Sequence, residues 1–211
     1  MITVHGRTTS SNVQLVMWAI GELGLPHRRL DVGGSFGGTD TPEYRAMNPN
    51  GLVPVLQDGD VTLFESAAIL RYLAARYGKE DFWPKDPAKR APLDQWAEWG
   101  KITFAPAVLR MFIQLVRVRG ADRDPAVTAG IAKDIAHLAT ILDERLGKGS
   151  YLGGDTLAFA DITVGNLLYR YMTLPFEKAE TPNLDAYYKR LTKRPAFAEH
   201  VMVSYESLRA E

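Results

Sequence analysis

The chain of 211 residues contains no cysteine. That absence removes disulfides, thiolate-based zinc sites and any protein thiol nucleophile together. Histidine is scarce as well: the four, at positions 5, 27, 137 and 200, include no pair at metal-ligand spacing, so no protein-bound metal is expected. Charge of either sign is not in excess, with 25 Lys+Arg against 25 Asp+Glu. Such a balance supplies no electrostatic reason for a nucleic-acid or anionic-membrane partner. No apolar run approaches the ~18 residues of a membrane span. The opening Met1-Ile-Thr-Val-His-Gly6 lacks the basic segment, apolar stretch and cleavage site of a secretory leader, so the cytoplasm is the expected compartment.

What is present suits a packed, ordered protein. Hydrophobic residues make up 46% and charged residues 24%, within the usual globular range. The first half alternates strand and helix signals. Residues 2–5 read as a strand, and Val13, Val16, Met17, Ile20 and Leu23 then recur at helical spacing behind candidate N-cap residues at 10–12. Gly24 and Pro26 stop that helix, and 27–32 can form a second strand, parallel to the first. A short helix is predicted at 41–47 with Pro42 in its first turn, then a hairpin turning at Asp58-Gly59 and a helix over 65–77 ended by Gly78.

The rest reads as helices. Residues 79–88, polar with Pro84 and Pro87, are the expected linker between a domain at 1–78 and another at 89–211. Ile131, Ile135, Leu138, Leu142 and Leu146 form an apolar stripe, and Pro106 predicts a kink within 89–117. Further helices fit 160–173, 183–193 and 195–205. The glycine-rich Gly33–Gly38 stretch lacks the lysine and spacing of a phosphate cradle and reads as a loop. Arg117–Arg123 reads as a solvated turn.

Two stretches carry a functional signal: Asn48-Pro-Asn-Gly-Leu-Val-Pro-Val-Leu56, and Leu63-Phe-Glu-Ser-Ala-Ala-Ile-Leu-Arg-Tyr-Leu73. Phe159-Ala-Asp161 and the terminal Pro182-Asn-Leu184 and Arg194-Pro-Ala-Phe197 accompany them. With these spacings the chain resembles the cytosolic glutathione transferase superfamily over nearly its whole length. The resemblance implies an α/β thioredoxin-like N-terminal domain followed by an all-α helical C-terminal domain, assembled as a homodimer. Reduced glutathione is then the cosubstrate, with no permanently bound cofactor, and its thiolate attacks a hydrophobic electrophile. Glutathione-dependent disulfide reduction, dehalogenation or isomerisation on the same site, and a non-catalytic ligand-binding protein, are the alternatives.

Site residues follow from the same resemblance. It implies that Pro54 is cis and that Leu52, Val53 and Pro54 border glutathione, with the Val53 backbone pairing with the cysteinyl unit as an added strand would. Without it, Pro54 simply starts an edge strand. Ser66, at a helix N-terminus that favours an anion, is implied to hold the γ-glutamyl carboxylate, with Glu65 orienting the amino end. Read alone, Ser66 is a helix cap and Glu65 a solvated charge. Within Thr8-Thr9-Ser10-Ser11-Asn12, alignment with plant phi-class members puts Ser10 at the position that hydrogen-bonds the sulfur. Related bacterial enzymes use a nearby Thr or Asn, so Thr9, Ser11 and Asn12 stay as candidates. Trp96, Trp99 and Met111 are core residues by spacing and electrophile-pocket residues by resemblance. Two departures stand out. Thr39-Asp40-Thr41-Pro42 lacks the basic residue many relatives place there for the glycyl carboxylate, leaving Arg7 and Arg45 as substitutes. Ala158 replaces the expected hydroxyl cap before Asp161.

Overall fold

The structure, a computed structural model, describes residues 1–210. Its first part is a four-stranded sheet in the order β2-β1-β3-β4, built from β1 (Ile2–His5), β2 (His27–Leu30), β3 (Val55–Asp58) and β4 (Val61–Phe64). β1 pairs in parallel with β2 across the helix α1 (Ser11–Glu22), and antiparallel with β3. Helices α2 (Pro42–Met47) and α3 (Ser66–Tyr77) complete this thioredoxin-like unit. The hairpin turn sits one residue later than predicted: Asp58 still pairs with Val61, leaving Gly59 and Asp60 at the tip. Gly59 has φ +60, which a glycine-first two-residue turn requires.

α1 is buried from Val13 through Ile20 without a break, because it is covered on every side. Trp18 shows why. Its ring, fully buried, meets Phe197 edge-on at 4.9 Å, and its indole N–H donates to Glu22 at 2.9 Å. Glu22 in turn receives a two-pronged contact from Arg194 at 2.8 and 2.5 Å. Each fully buried side chain of that size contributes roughly 1.5–3 kcal/mol, so the helical part of the chain grips α1 firmly.

That helical part comprises α4 (Pro87–Trp99), α5 (Ala105–Phe112), α6 (Pro125–Leu146), α7 (Phe159–Gly165), α8 (Leu168–Thr173), α9 (Pro182–Leu191) and α10 (Pro195–His200). α4 starts at Pro87 behind the Asp86 cap, two residues inside the predicted linker. The kink expected at Pro106 takes a specific form. Residues Gly100–Phe104 make a widened π turn, in which the Ala105 N–H reaches back five residues to Gly100. Proline lacks the N–H that would return to Ile102 and its ring crowds that carbonyl, and the wider turn relieves both problems. Gly100 lies where α7 passes closely: a Cβ there would come within 2.8 Å of Val164. The single helix predicted at 160–173 is two, α7 and α8, and the last predicted helix stops at His200. Along α6, Ile131, Ile135, Leu142 and Leu146 face the core as the stripe requires, while Leu138 is partly covered.

Candidate functional site

Three segments distant in sequence meet at one end of the strands: the turn before α1, which follows β1, the loop entering β3, and the start of α3, which follows β4. The loop is held from beneath. Asn48, buried, accepts from the Asn50 N–H and donates to the Leu52 carbonyl at 2.7 Å, and the Tyr44 hydroxyl donates to that same carbonyl at 2.9 Å. Burial pushes the Tyr44 hydroxyl up to about 12, so it stays a donor across the physiological range. Leu52 itself is 64% exposed, and the Val53-Pro54 peptide that follows is cis.

At the other end of the hairpin Glu65 has φ +67, the only non-glycine residue with positive φ among those described. Such a conformation costs about 1–3 kcal/mol and is sustained where the surroundings demand it. Glu65 occupies the cap position of α3 but its side chain makes no capping bond, so the first N–H groups of the helix have no acceptor within the helix. Ser66 beside it is only 2% exposed. Its hydroxyl donates to Asn12 Oδ1 at 3.2 Å and accepts from Lys101 Nζ at 2.9 Å. Lys101 also donates to Asn12 Oδ1 at 2.8 Å. Residues 12, 66 and 101 thus close into a small triangle.

The turn before α1 is fixed through its carbonyls. Gln14 donates to the Thr8 carbonyl, Arg170 to Thr9 and Asn166 to Ser11, at 2.8, 2.8 and 3.0 Å. Two of these three anchors come from the helical part. Arg170 is buried without a carboxylate at ion-pair distance among the described residues, and burial, aided by Arg117, pulls its guanidinium down to about 10. Its charge lies over the Phe112 ring at 4.3 Å. Ser10 stands at the α1 cap position, yet its hydroxyl neither caps the helix nor bonds any other described group. The side chains of Thr9 and Ser11 are likewise uncommitted, whereas Asn12 Oδ1 accepts from Ser66 and Lys101.

The sequence candidates therefore separate. Thr9, Ser10, Ser11, Asn12, Leu52, Val53, Pro54, Glu65 and Ser66 belong to these three neighbouring segments. Trp96, Trp99 and Met111 do not join them: the two indoles pack edge-on at 5.2 Å, Trp99 stacks on Phe104, and Met111 is fully buried in the helical core. A surface groove of about 600 Å³ between α5 and α6 is lined by residues such as Ile102, Pro106, Arg110 and Leu138 and by none of these three. Arg7 lies against Gly33 and Gly34, and Arg45 donates to the Pro49 carbonyl. Lys101, Arg170 and Asn166 escaped the sequence reading, and Asn48 appeared there only as part of a motif, without its role in holding the loop. The only hint for Lys101 was a lone charge in the apolar stretch Gly100-Lys-Ile-Thr-Phe104. Among the described residues no cluster of three or more His, Asp or Glu is arranged to hold a metal ion.

This architecture has close counterparts. Residues 4–92 match the family model "Glutathione S-transferase, N-terminal domain" and 101–195 match "Glutathione S-transferase, C-terminal domain". The glutathione S-transferase GstB of Escherichia coli K12 is 38% identical over 205 residues, spanning 96% of this chain and 99% of its own length. Glutathione S-transferase 3 of Zea mays is 31% identical, over 95% of this chain and 93% of its own. A crystal structure of a theta class glutathione S-transferase from Xanthomonas axonopodis pv. citri with glutathione bound superimposes with a TM-score of 0.90 at 43% identity, covering 96% of this chain and 98% of that one. The chain belongs to the glutathione S-transferase superfamily.

Proposed function

We propose that this protein binds reduced glutathione along the edge formed by Leu52, Val53, Pro54, Glu65 and Ser66, and promotes attack of the glutathione thiolate on a hydrophobic electrophile. The observation that carries the reading is the buried Ser66 hydroxyl at the uncapped start of α3, which the Val55–Phe64 strand pairing brings near the loop that ends in Val53-Pro54. An extended cysteinyl backbone would lie beside Val53 as an extra strand, and the γ-glutamyl carboxylate would receive the free N–H groups of α3. A thiol titrates near ~8.5 when unperturbed, so catalysis requires a donor that favours its thiolate; the uncommitted Ser10 hydroxyl supports Ser10 in that role. Thr9, Ser11 and Asn12 are the next candidates; the Asn12 carbonyl oxygen is occupied, but a bond to sulfur would come from its amide N–H2 instead. Proximity of the two reactants in one cleft supplies the rest of the rate.

Calorimetry tests the site directly. Wild-type protein should bind glutathione saturably, and Ser66→Ala should weaken binding by about 1.5–3 kcal/mol, typical of hydrogen bonds to a charged group. Unchanged affinity in that variant would remove Ser66 from the site.

The division into a glutathione-binding domain at 1–78 and a helical domain at 89–211 belongs to the same proposal, as does a cytoplasmic, detoxifying role. No helix among the described residues is long and apolar enough to cross a membrane. A homodimer fits the exposed Phe64 on β4 and Ile102, 36% and 68% accessible, which would gain by burial against a second copy. Sedimentation at micromolar concentration should give about twice the 23.4 kDa chain mass; a particle of monomer mass counts against the dimer.

A further inference from the structure

Lys101 belongs to the helical part of the chain, yet its ammonium reaches across to the start of α3 and the first turn of α1. It donates to Ser66 Oγ at 2.9 Å and Asn12 Oδ1 at 2.8 Å, both neutral acceptors. No carboxylate stands within ion-pair distance of it among the described residues. An ammonium carries three donors, so one remains open. Withdrawing such a charge from water costs several kcal/mol unless an anion compensates it, and here the compensation is incomplete. The pKa of Lys101 accordingly moves down through burial, with only Glu65 and Glu98, at longer range, acting against that. The widened turn at Gly100–Phe104 is what carries this residue, so the local irregularity created by Pro106 coincides with the charge that meets the site.

We propose that Lys101 recognises the γ-glutamyl α-carboxylate of glutathione. This rests on the glutathione site proposed above. A carboxylate hydrogen-bonded to Ser66 lies beside the hydroxyl that Lys101 already contacts, so one anion can bridge serine and lysine. Glu65, on the other side of Ser66, is then left to meet the ligand's α-ammonium. The two charged ends of the γ-glutamyl unit are read by two residues of opposite sign from different parts of the chain, and glutathione occupancy ties the helical part to the sheet.

The test uses two ligands: glutathione, and 4-aminobutyryl-cysteinylglycine, which differs only by lacking the α-carboxylate. Calorimetry on wild type, Lys101→Met and Lys101→Gln reads out both, with thermal unfolding to check folding. Lys101→Gln keeps an amide donor toward Ser66 and Asn12, so it remains informative should the methionine variant not fold. The expected result is a loss of about tenfold or more in glutathione affinity, with affinity for the decarboxylated ligand changed less than about twofold. Equal losses for both ligands, or unchanged glutathione affinity, would overturn the role of Lys101. Absence of glutathione binding by wild type would instead overturn the site reading, and this inference with it.

Discussion

Replacing Asp161 by alanine is expected to cost about 3 kcal/mol of stability, a large share of what holds a domain of this size folded. The carboxylate is fully buried and accepts from the Leu152 N–H at 2.9 Å, the Ala158 N–H at 2.8 Å and the Tyr187 hydroxyl at 2.8 Å. Truncation strands three buried donors at once, each worth about 1–3 kcal/mol when left unsatisfied, partly offset by release of a buried charge. Equilibrium unfolding in urea measures the loss; a change below about 1 kcal/mol would show that water replaces the carboxylate readily. The group also has a pH signature. Burial outweighs the hydrogen bonds and raises the Asp161 carboxyl to about 6. The folded protein therefore takes up this proton before the unfolded chain, whose Asp titrates near ~3.9. Its contribution to stability is fully present below that lower value and is lost as pH rises through about 6. The stability difference between wild type and Asp161→Asn should accordingly fall as pH rises across that window.

Ser10→Ala is expected to lower turnover at pH 7 by about 10- to 100-fold while leaving glutathione affinity within about threefold. The bond removed sets the size: a hydrogen bond to a thiolate worth about 1.5–3 kcal/mol corresponds to a rise of about one to two in the bound thiol's pKa. The pH–rate profile should move upward by the same amount. Affinity survives because the ligand's carboxylate and peptide groups bind elsewhere, at Ser66 and Val53. The turn that presents Ser10 is held by Arg170 and Asn166 through the carbonyls of Thr9 and Ser11, so its geometry does not depend on the Ser10 hydroxyl. A profile unmoved by Ser10→Ala but shifted by substitution at Thr9, Ser11 or Asn12 would pass the role to that neighbour. No shift from any of the four would leave the thiolate to the helix terminus and backbone alone.

Particular residues show how far local pattern reaches. The strand at 2–5, the helix over 65–77 and its stop at Gly78 were legible because period-2 and period-3.6 patterning and glycine punctuation are short-range effects. Asp161 was legible as half of a capping arrangement, since its partner Ala158 N–H is three residues away. Its other partners were not: Leu152 and Tyr187 reach it only through the packing of the helical part. The break between α7 and α8 went unseen because the stretch from Phe159 to Leu168 is almost wholly buried, and burial on all sides erases the amphipathic period that marks a helix end.

The candidate site divides along the same line. The sequence by itself determined most of the elements, the helix start at Glu65-Ser66 among them, because these depend on contacts between near neighbours in the chain. Only the tertiary structure decided that Asn12, Ser66 and Lys101 touch, and that Arg170 and Asn166 hold the turn before α1. Those contacts join positions 35 to 161 residues apart. A lysine or arginine far along the chain looks like any solvated charge until folding withdraws it from water, and its meaning then comes from what it meets there.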